Sequence, residues 1–193
     1  MKTTTSLKTN WIACLLLATT PAVGIVGCAG DRYNRSTGEY IDDHSLQMRV
    51  DHALNDNPDF KFKDVKIATF KGTVELNGFV DESEQKSKAE DIAKQVPGVR
   101  QVDNNIGVAK DGPRSAGQAT DDKAEASRVS DGLHNNPEYK FDGVDVAVYK
   151  GIVQLSGFVN TADQKSKAAD QAKQISGASD VENQIVAKDT MKQ

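Results

Sequence analysis

Residues 49–110 align with residues 128–189 at a constant offset of 79, without a gap, and 29 of the 62 aligned positions are identical. Such a repeat constrains the chain more than any composition does, because the fold must be one that a single short segment makes twice. The pairs NPDFKF and NPEYKF, FKGTVELNGFV and YKGIVQLSGFV, QKSKAEDIAKQ and QKSKAADQAKQ, and VDNNI and VENQI make it visible.

The periodicity inside one copy reads αββαβ. Leu46, Val50, Ala53 and Leu54 form a helical stripe that Pro58 ends. Val65, Ile67 and Thr69 alternate as a strand, Lys71-Gly72 fits a tight hairpin, and Val74, Leu76, Gly78 and Val80 alternate on the return strand. Asp81 or Ser83 is the expected cap of a second helix, whose face carries Ala89, Ile92, Ala93 and Val96 before the Pro97-Gly98 stop. Val102, Asn104, Ile106 and Val108 alternate as the last strand. A right-handed crossover then makes the second and third strands parallel. The predicted fold is α+β, two tandem αββαβ units, each a three-stranded mixed sheet with two helices on one face. Gly78 and Gly157 interrupt strands, which predicts a helix backbone packed closely there. Asn104 and Asn183, on an apolar strand face, are expected to satisfy buried backbone groups.

These motifs resemble the BON domain (bacterial OsmY and nodulation). The resemblance rests on the V-x-L-x-G-x-V strand (Val74, Leu76, Gly78, Val80; Val153, Leu155, Gly157, Val159), the alanine-rich helix, the turn Pro97–Val99 and the V-x-N-x-I strand (Val102, Asn104, Ile106; Val181, Asn183, Ile185). At the turn the second copy has Ser176-Gly177-Ala178 instead. The resemblance implies an exported, envelope-associated binding module, linked in the family to osmotic stress, outer-membrane integrity and phospholipid surfaces.

The N-terminus agrees with export. Residues 1–10 carry Lys2 and Lys8 and no acid, and 11–18 (WIACLLLA) are apolar, the layout of a secretory signal. The run is too short and too interrupted by Thr19, Thr20 and Pro21 for a spanning helix of roughly 20 residues. Ile25-Val26-Gly27-Cys28 resembles a lipobox, in which the Cys28 thiol takes the diacylglyceryl group. Cleavage nearby without lipidation would instead leave a soluble periplasmic protein. By the sorting rule for such lipoproteins, Ala29 after the cysteine implies the outer membrane. Signal, lipobox and tandem together look like the dual-BON lipoproteins of Gram-negative envelopes. The expected organisation is a signal peptide over 1–27, a flexible tether over 28–44, BON domain 1 over 45–110, a linker over 111–122 and BON domain 2 over 123–190.

Charge and chemistry narrow the function. The body after the signal has 22 basic and 28 acidic side chains, so a basic nucleic-acid footprint is absent. Cys14 and Cys28 are the only cysteines, so no disulfide staples the body. His44, His52 and His134 lack metal-ligand spacing, and Asp42-Asp43 and Asp121-Asp122 read as tether or cap residues. No nucleophile elbow or phosphate loop occurs. No enzyme activity, metal or cofactor is expected.

Phe70, Phe79, Tyr149 and Phe158 are out of phase with the inward-facing strand residues. They either lie on an open sheet face as a surface for lipid or protein, or pair where the two domains pack sheet to sheet. The second copy's first helix and its exit, with Val129, Leu133, Asn136, Pro137 and Tyr139, form a second candidate surface. In related dual-BON lipoproteins the second domain is the one associated with anionic lipid; here that copy has 7 basic and 9 acidic residues over 128–189. The expected partners are the membrane, through the acyl anchor and anionic phospholipid, and envelope proteins. The expected function is a non-catalytic envelope lipoprotein that supports membrane integrity, with an osmotic-stress periplasmic protein of chaperone type as the alternative.

Overall fold

The computed structural model describes residues 35–109, 112–139, 141–176, 178 and 180–191; the expected signal segment and Cys28 lie outside them. Among the described residues the order is α1 (Thr37–Asn55), β1 (Val65–Phe70), β2 (Thr73–Val80), α2 (Ser83–Gln95), β3 (Gln101–Asn104) and β4 (Gly107–Val108). The second copy repeats it as α3 (Ala116–His134), β5 (Val144–Tyr149), β6 (Ile152–Val159), α4 (Ala162–Ser176), β7 (Val181–Asn183) and β8 (Val186–Ala187), closed by a 3-10 turn at Lys188–Thr190.

In each unit the hairpin is antiparallel and the long middle strand also pairs in parallel with the last one. Lys71 (φ 49°) and Gly72 (φ 80°) are both left-handed, as a two-residue hairpin turn of this twist requires. The last strand is not continuous. β3 and β4 both pair with β2 and are separated at Asn105-Ile106, where the Asn105 N–H still reaches the Leu76 carbonyl. Asn104 organises the break: its Nδ2 donates to the Lys86 carbonyl of α2, and its Oδ1 accepts from the Ile106 N–H. Asn183 does the same with Lys165 and Ile185. The expected backbone-satisfying role of both asparagines holds.

Both helices of a unit cover one sheet face. Leu46, Val50 and Leu54 of α1 and Ala89 and Ala93 of α2 meet Val74, Leu76 and Ile106 in one buried cluster. Each such branched side chain contributes roughly 1.5–3 kcal/mol of burial. The alanines leave room for α2 to lie close on the sheet.

The first helix of each unit starts earlier than expected, at Thr37 rather than after a tether to 44, and at Ala116 rather than near Asp121. The cause is a pair of capping boxes. Ser36 Oγ accepts from the Glu39 N–H while the Glu39 carboxylate accepts from the Ser36 N–H, and Ser115 and Gln118 do the same. Similarly α2 is capped at Glu82, not at Asp81 or Ser83, with the Gln85 side chain taking the Asp81 and Glu82 N–H groups.

The early start brings in residues that pin the hairpins. Asp43, 3% exposed, is neither tether nor cap: its carboxylate accepts from the N–H groups of Lys71 and Gly72 and from Arg35. Arg35 also donates to the Thr69 carbonyl. Asp122, Lys150, Gly151, Arg114 and Val148 reproduce the arrangement. The structural repeat therefore reaches back to Arg35 and Arg114. Asp43→Ala would strand two turn N–H groups and a guanidinium, and should lower stability by about 3 kcal/mol in urea unfolding. Asp43→Asn, which keeps one acceptor oxygen, should cost less.

Candidate functional site

The sheet faces away from the helices are not open. Every residue of β2 is buried, although its sequence alternates apolar and polar. The covering layer is the other unit, since β1 and β2 pack on β5 and β6. The four rings pair across this seam: Phe70 lies 5.4 Å from Phe158, and Phe79 stacks 5.2 Å from Tyr149. Because Phe70 is the repeat counterpart of Tyr149, and Phe79 that of Phe158, the contacts are reciprocal, as a pseudo-two-fold demands. Of the two readings of these rings, the structure realises sheet-to-sheet pairing; only Phe158 is partly exposed, where it lines a cleft with Phe70.

Gly78 and Gly157 explain the polar half of the seam. Both have φ near +100°, at 100° and 101°, and a Cβ would lie 2.0 Å from the Asp64 carbonyl oxygen in one copy and 2.1 Å from that of Gly143 in the other. The close approach comes from loop backbone, not from a helix as expected. In this conformation the Gly78 N–H donates to Gln154 Oε1 of the other unit at 2.6 Å, and the Gly157 N–H donates to Glu75 Oε2 at 2.9 Å. Glu75 and Gln154 are themselves repeat counterparts.

The two are not chemically identical. Gln154 Nε2 donates to the Asn105 carbonyl and to the Glu182 carboxylate. Glu75 Oε1, in the corresponding position, has no partner among the described residues. Burial pushes the Glu75 carboxyl up to about 8, against the pull of the Gly157 N–H; the Asp103 carboxylate beside it on β3 adds to the rise, while the Asn77 amide and Lys165 oppose it. Burial therefore favours the protonated form of Glu75 at neutral pH, the form that most resembles the neutral amide of Gln154.

The second candidate surface does not exist as an apolar patch. Val129 and Leu133 are in the core of the second unit. Asn136 Oδ1 accepts from the Glu138 and Tyr139 N–H groups, and its Nδ2 donates to Gln171. Tyr139 stacks on Phe141 and donates to Asp163, so only Pro137 faces solvent fully. The apolar stripe of this helix faces its own unit's core and not a partner.

Exposed apolar groups lie elsewhere, two in the expected tether and one just after it. Tyr40, Ile41 and Met48 on α1 are 56%, 57% and 55% exposed. Beside them, at one end of the seam, a cleft of about 380 Å³ is lined by Arg35, Tyr40, His44, Phe70, Asp145 and Lys188, among others. At the other end Arg114 pairs with the Asp64 carboxylate at 2.9 Å and covers the Tyr149 ring. The counterpart of Asp64 is Gly143, which lines the cleft.

Comparison with known proteins fits this architecture. The BON domain family model matches residues 42–110 and 121–189. The chain is 30% identical to osmotically-inducible protein Y of Escherichia coli over 168 residues, covering 83% of this chain and 81% of that one. It is 34% identical to outer membrane lipoprotein DolP of Haemophilus influenzae over 149 residues, covering 76% and 75%. A solved chain of CdsD, a structural protein of the type III secretion system of Chlamydia trachomatis, has a TM-score of 0.31 at 17% identity over 74% of this chain and 92% of that one, and carries no argument.

Stability should depend on pH through Glu75. Its folded value lies above the ordinary 4.5, so the folded state holds a proton that the unfolded state releases. The contribution is complete below pH 4.5 and is lost progressively as pH rises to about 8, on the order of 1.4 kcal/mol per pH unit at most. Glu75→Gln supplies a permanent donor at the same place. It should leave stability at pH 5 nearly unchanged and raise it by a few kcal/mol at pH 9, measured by urea unfolding at both values.

Proposed function

The chain belongs to the BON-domain family, and from that premise we propose that it is a non-catalytic lipoprotein of the cell envelope. In this reading acyl chains on Cys28 hold it at the outer membrane, and its paired modules bind phospholipid surfaces or envelope proteins and support membrane integrity. The observation that carries the reading is the coincidence of a tandem BON pair with Cys28 behind Ile25-Val26-Gly27 at the end of an apolar leader. The similarity to an outer membrane lipoprotein supports it. Each buried acyl methylene contributes roughly 0.8 kcal/mol, so the two or more chains of a lipoprotein cysteine anchor the body stably where one would not.

A second reading is favoured by the other relative, named for osmotic induction. Here the protein serves in the periplasm under osmotic stress in a chaperone-type role. A rise in protein level at high osmolarity together with suppression of client aggregation supports this reading.

Metabolic labelling with palmitate tests the anchor. The wild-type chain should incorporate label and sediment with outer membranes, whereas Cys28→Ser should lose the label and move to the soluble fraction. An unlabelled wild-type chain found in the periplasmic fraction would overturn the proposal.

A further inference from the structure

We propose that the exposed face of α1 (Tyr40, Ile41, His44 and Met48), together with Arg35 at the mouth of the adjoining cleft, docks on the headgroup region of a zwitterionic phospholipid bilayer. The inference rests on the lipoprotein reading above and says which part of the folded body then lies on the membrane.

Residues 40, 41, 44 and 48 share one helical face, opposite the face that buries Asp43, Leu46, Val50 and Leu54. The fold does not require apolar groups there, because the repeat counterparts on α3 are Ala119, Thr120, Lys123 and Ser127. Exposed apolar groups gathered on one helix face mark interaction sites.

Chain length and charge select the occupant. Seven Cα–Cα steps separate Cys28 from Arg35, at most about 25 Å. A lipidated Cys28 therefore keeps the start of α1 within that distance of the bilayer. Arg35 is matched for an oxyanion. Its counterpart Arg114 holds the Asp64 carboxylate, whereas Gly143 supplies no side chain to Arg35. Arg35 keeps its contact with Asp43 and lies 5.0 Å over the Tyr40 ring, at the junction of cleft and apolar face. A guanidinium beside an aromatic and an aliphatic stripe matches the boundary between lipid phosphate and acyl chain. Asp142 and Asp145, which line the same cleft, offer carboxylates to the ammonium of an ethanolamine headgroup. They also oppose a purely anionic surface, as does the acidic body.

So few side chains give only weak binding alone, and the anchor supplies the local concentration that makes it effective. The test uses the lipidated full chain in phosphatidylethanolamine-containing vesicles, with an environment-sensitive fluorophore at Met48→Cys or, as control, at Ser127→Cys. Brominated phospholipid should quench the probe at 48 and not that at 127. Tyr40→Ala combined with Ile41→Thr removes neighbours with the groups the second repeat already carries. It should abolish quenching at 48 while circular dichroism and palmitate labelling stay unchanged. A probe at 48 that is unquenched in a labelled, membrane-bound chain overturns the docking and leaves the anchor standing. Probe-to-probe contact at 48 without quenching assigns the face to a second copy and also overturns it. Absence of palmitate label overturns the anchor, and the docking argued from its reach falls too. As an anchor-free check, the Cys28→Ser chain should partition to phosphatidylethanolamine-containing vesicles roughly tenfold more strongly with the native face than with the Ala and Thr replacements.

Discussion

The N–H groups of Gly78 and Gly157 are each answered by a side chain from the other half of the molecule, Gln154 and Glu75. A unit of this size buries too little surface to be more than marginal by itself. Its three strands cover one face with helices and leave the other to be covered by something else. The second copy covers it, and the glycine contacts with the two ring pairs set the register between the sheets. Left-handed glycine is the condition for this arrangement, since any Cβ would collide with the carbonyl oxygen beside it.

Reciprocal contacts usually arise between identical chains, and here duplication has placed them within one chain. The informative positions are those where the halves differ. Glu75 opposite Gln154 makes one half of the polar seam titratable. Asp64 opposite Gly143 closes one end of the seam with an ion pair and leaves a cleft at the other. Tyr40, Ile41 and Met48 opposite Ala119, Thr120 and Ser127 make one outer helix apolar and the other polar. The cleft and the apolar face of α1 both lie beside Arg35, so two halves of one fold differ most at that end of the molecule.

Element order, the hairpin turn, the core stripe and the roles of Asn104 and Asn183 were all legible in the sequence, because each follows from a local pattern. Helix starts were not, because TGEYIDDH is polar enough to read as a tether. The signals that would have placed them are the spacings Ser36 to Glu39 and Ser115 to Gln118. The seam was legible only as one of two readings: Thr73, Glu75 and Asn77 alternate with apolar residues as on a solvated sheet face, and their burial is a tertiary fact. The roles of Asp43 and Asp122 are hidden for the same reason, since the N–H groups they accept from lie 28 and 29 residues away. Val129 and Leu133 are the converse case: helical periodicity gives their face without saying that it meets the core.

Amide hydrogen exchange at Gly78 and Gly157, followed by NMR on the intact chain, tests the interlocked seam most directly. Both should exchange as slowly as the central β2 amides, because each N–H is buried against the opposite half. Exchange at the rate of an unprotected loop amide at either glycine, in a protein whose core amides are protected, would contradict it and return the sheet faces to solvent.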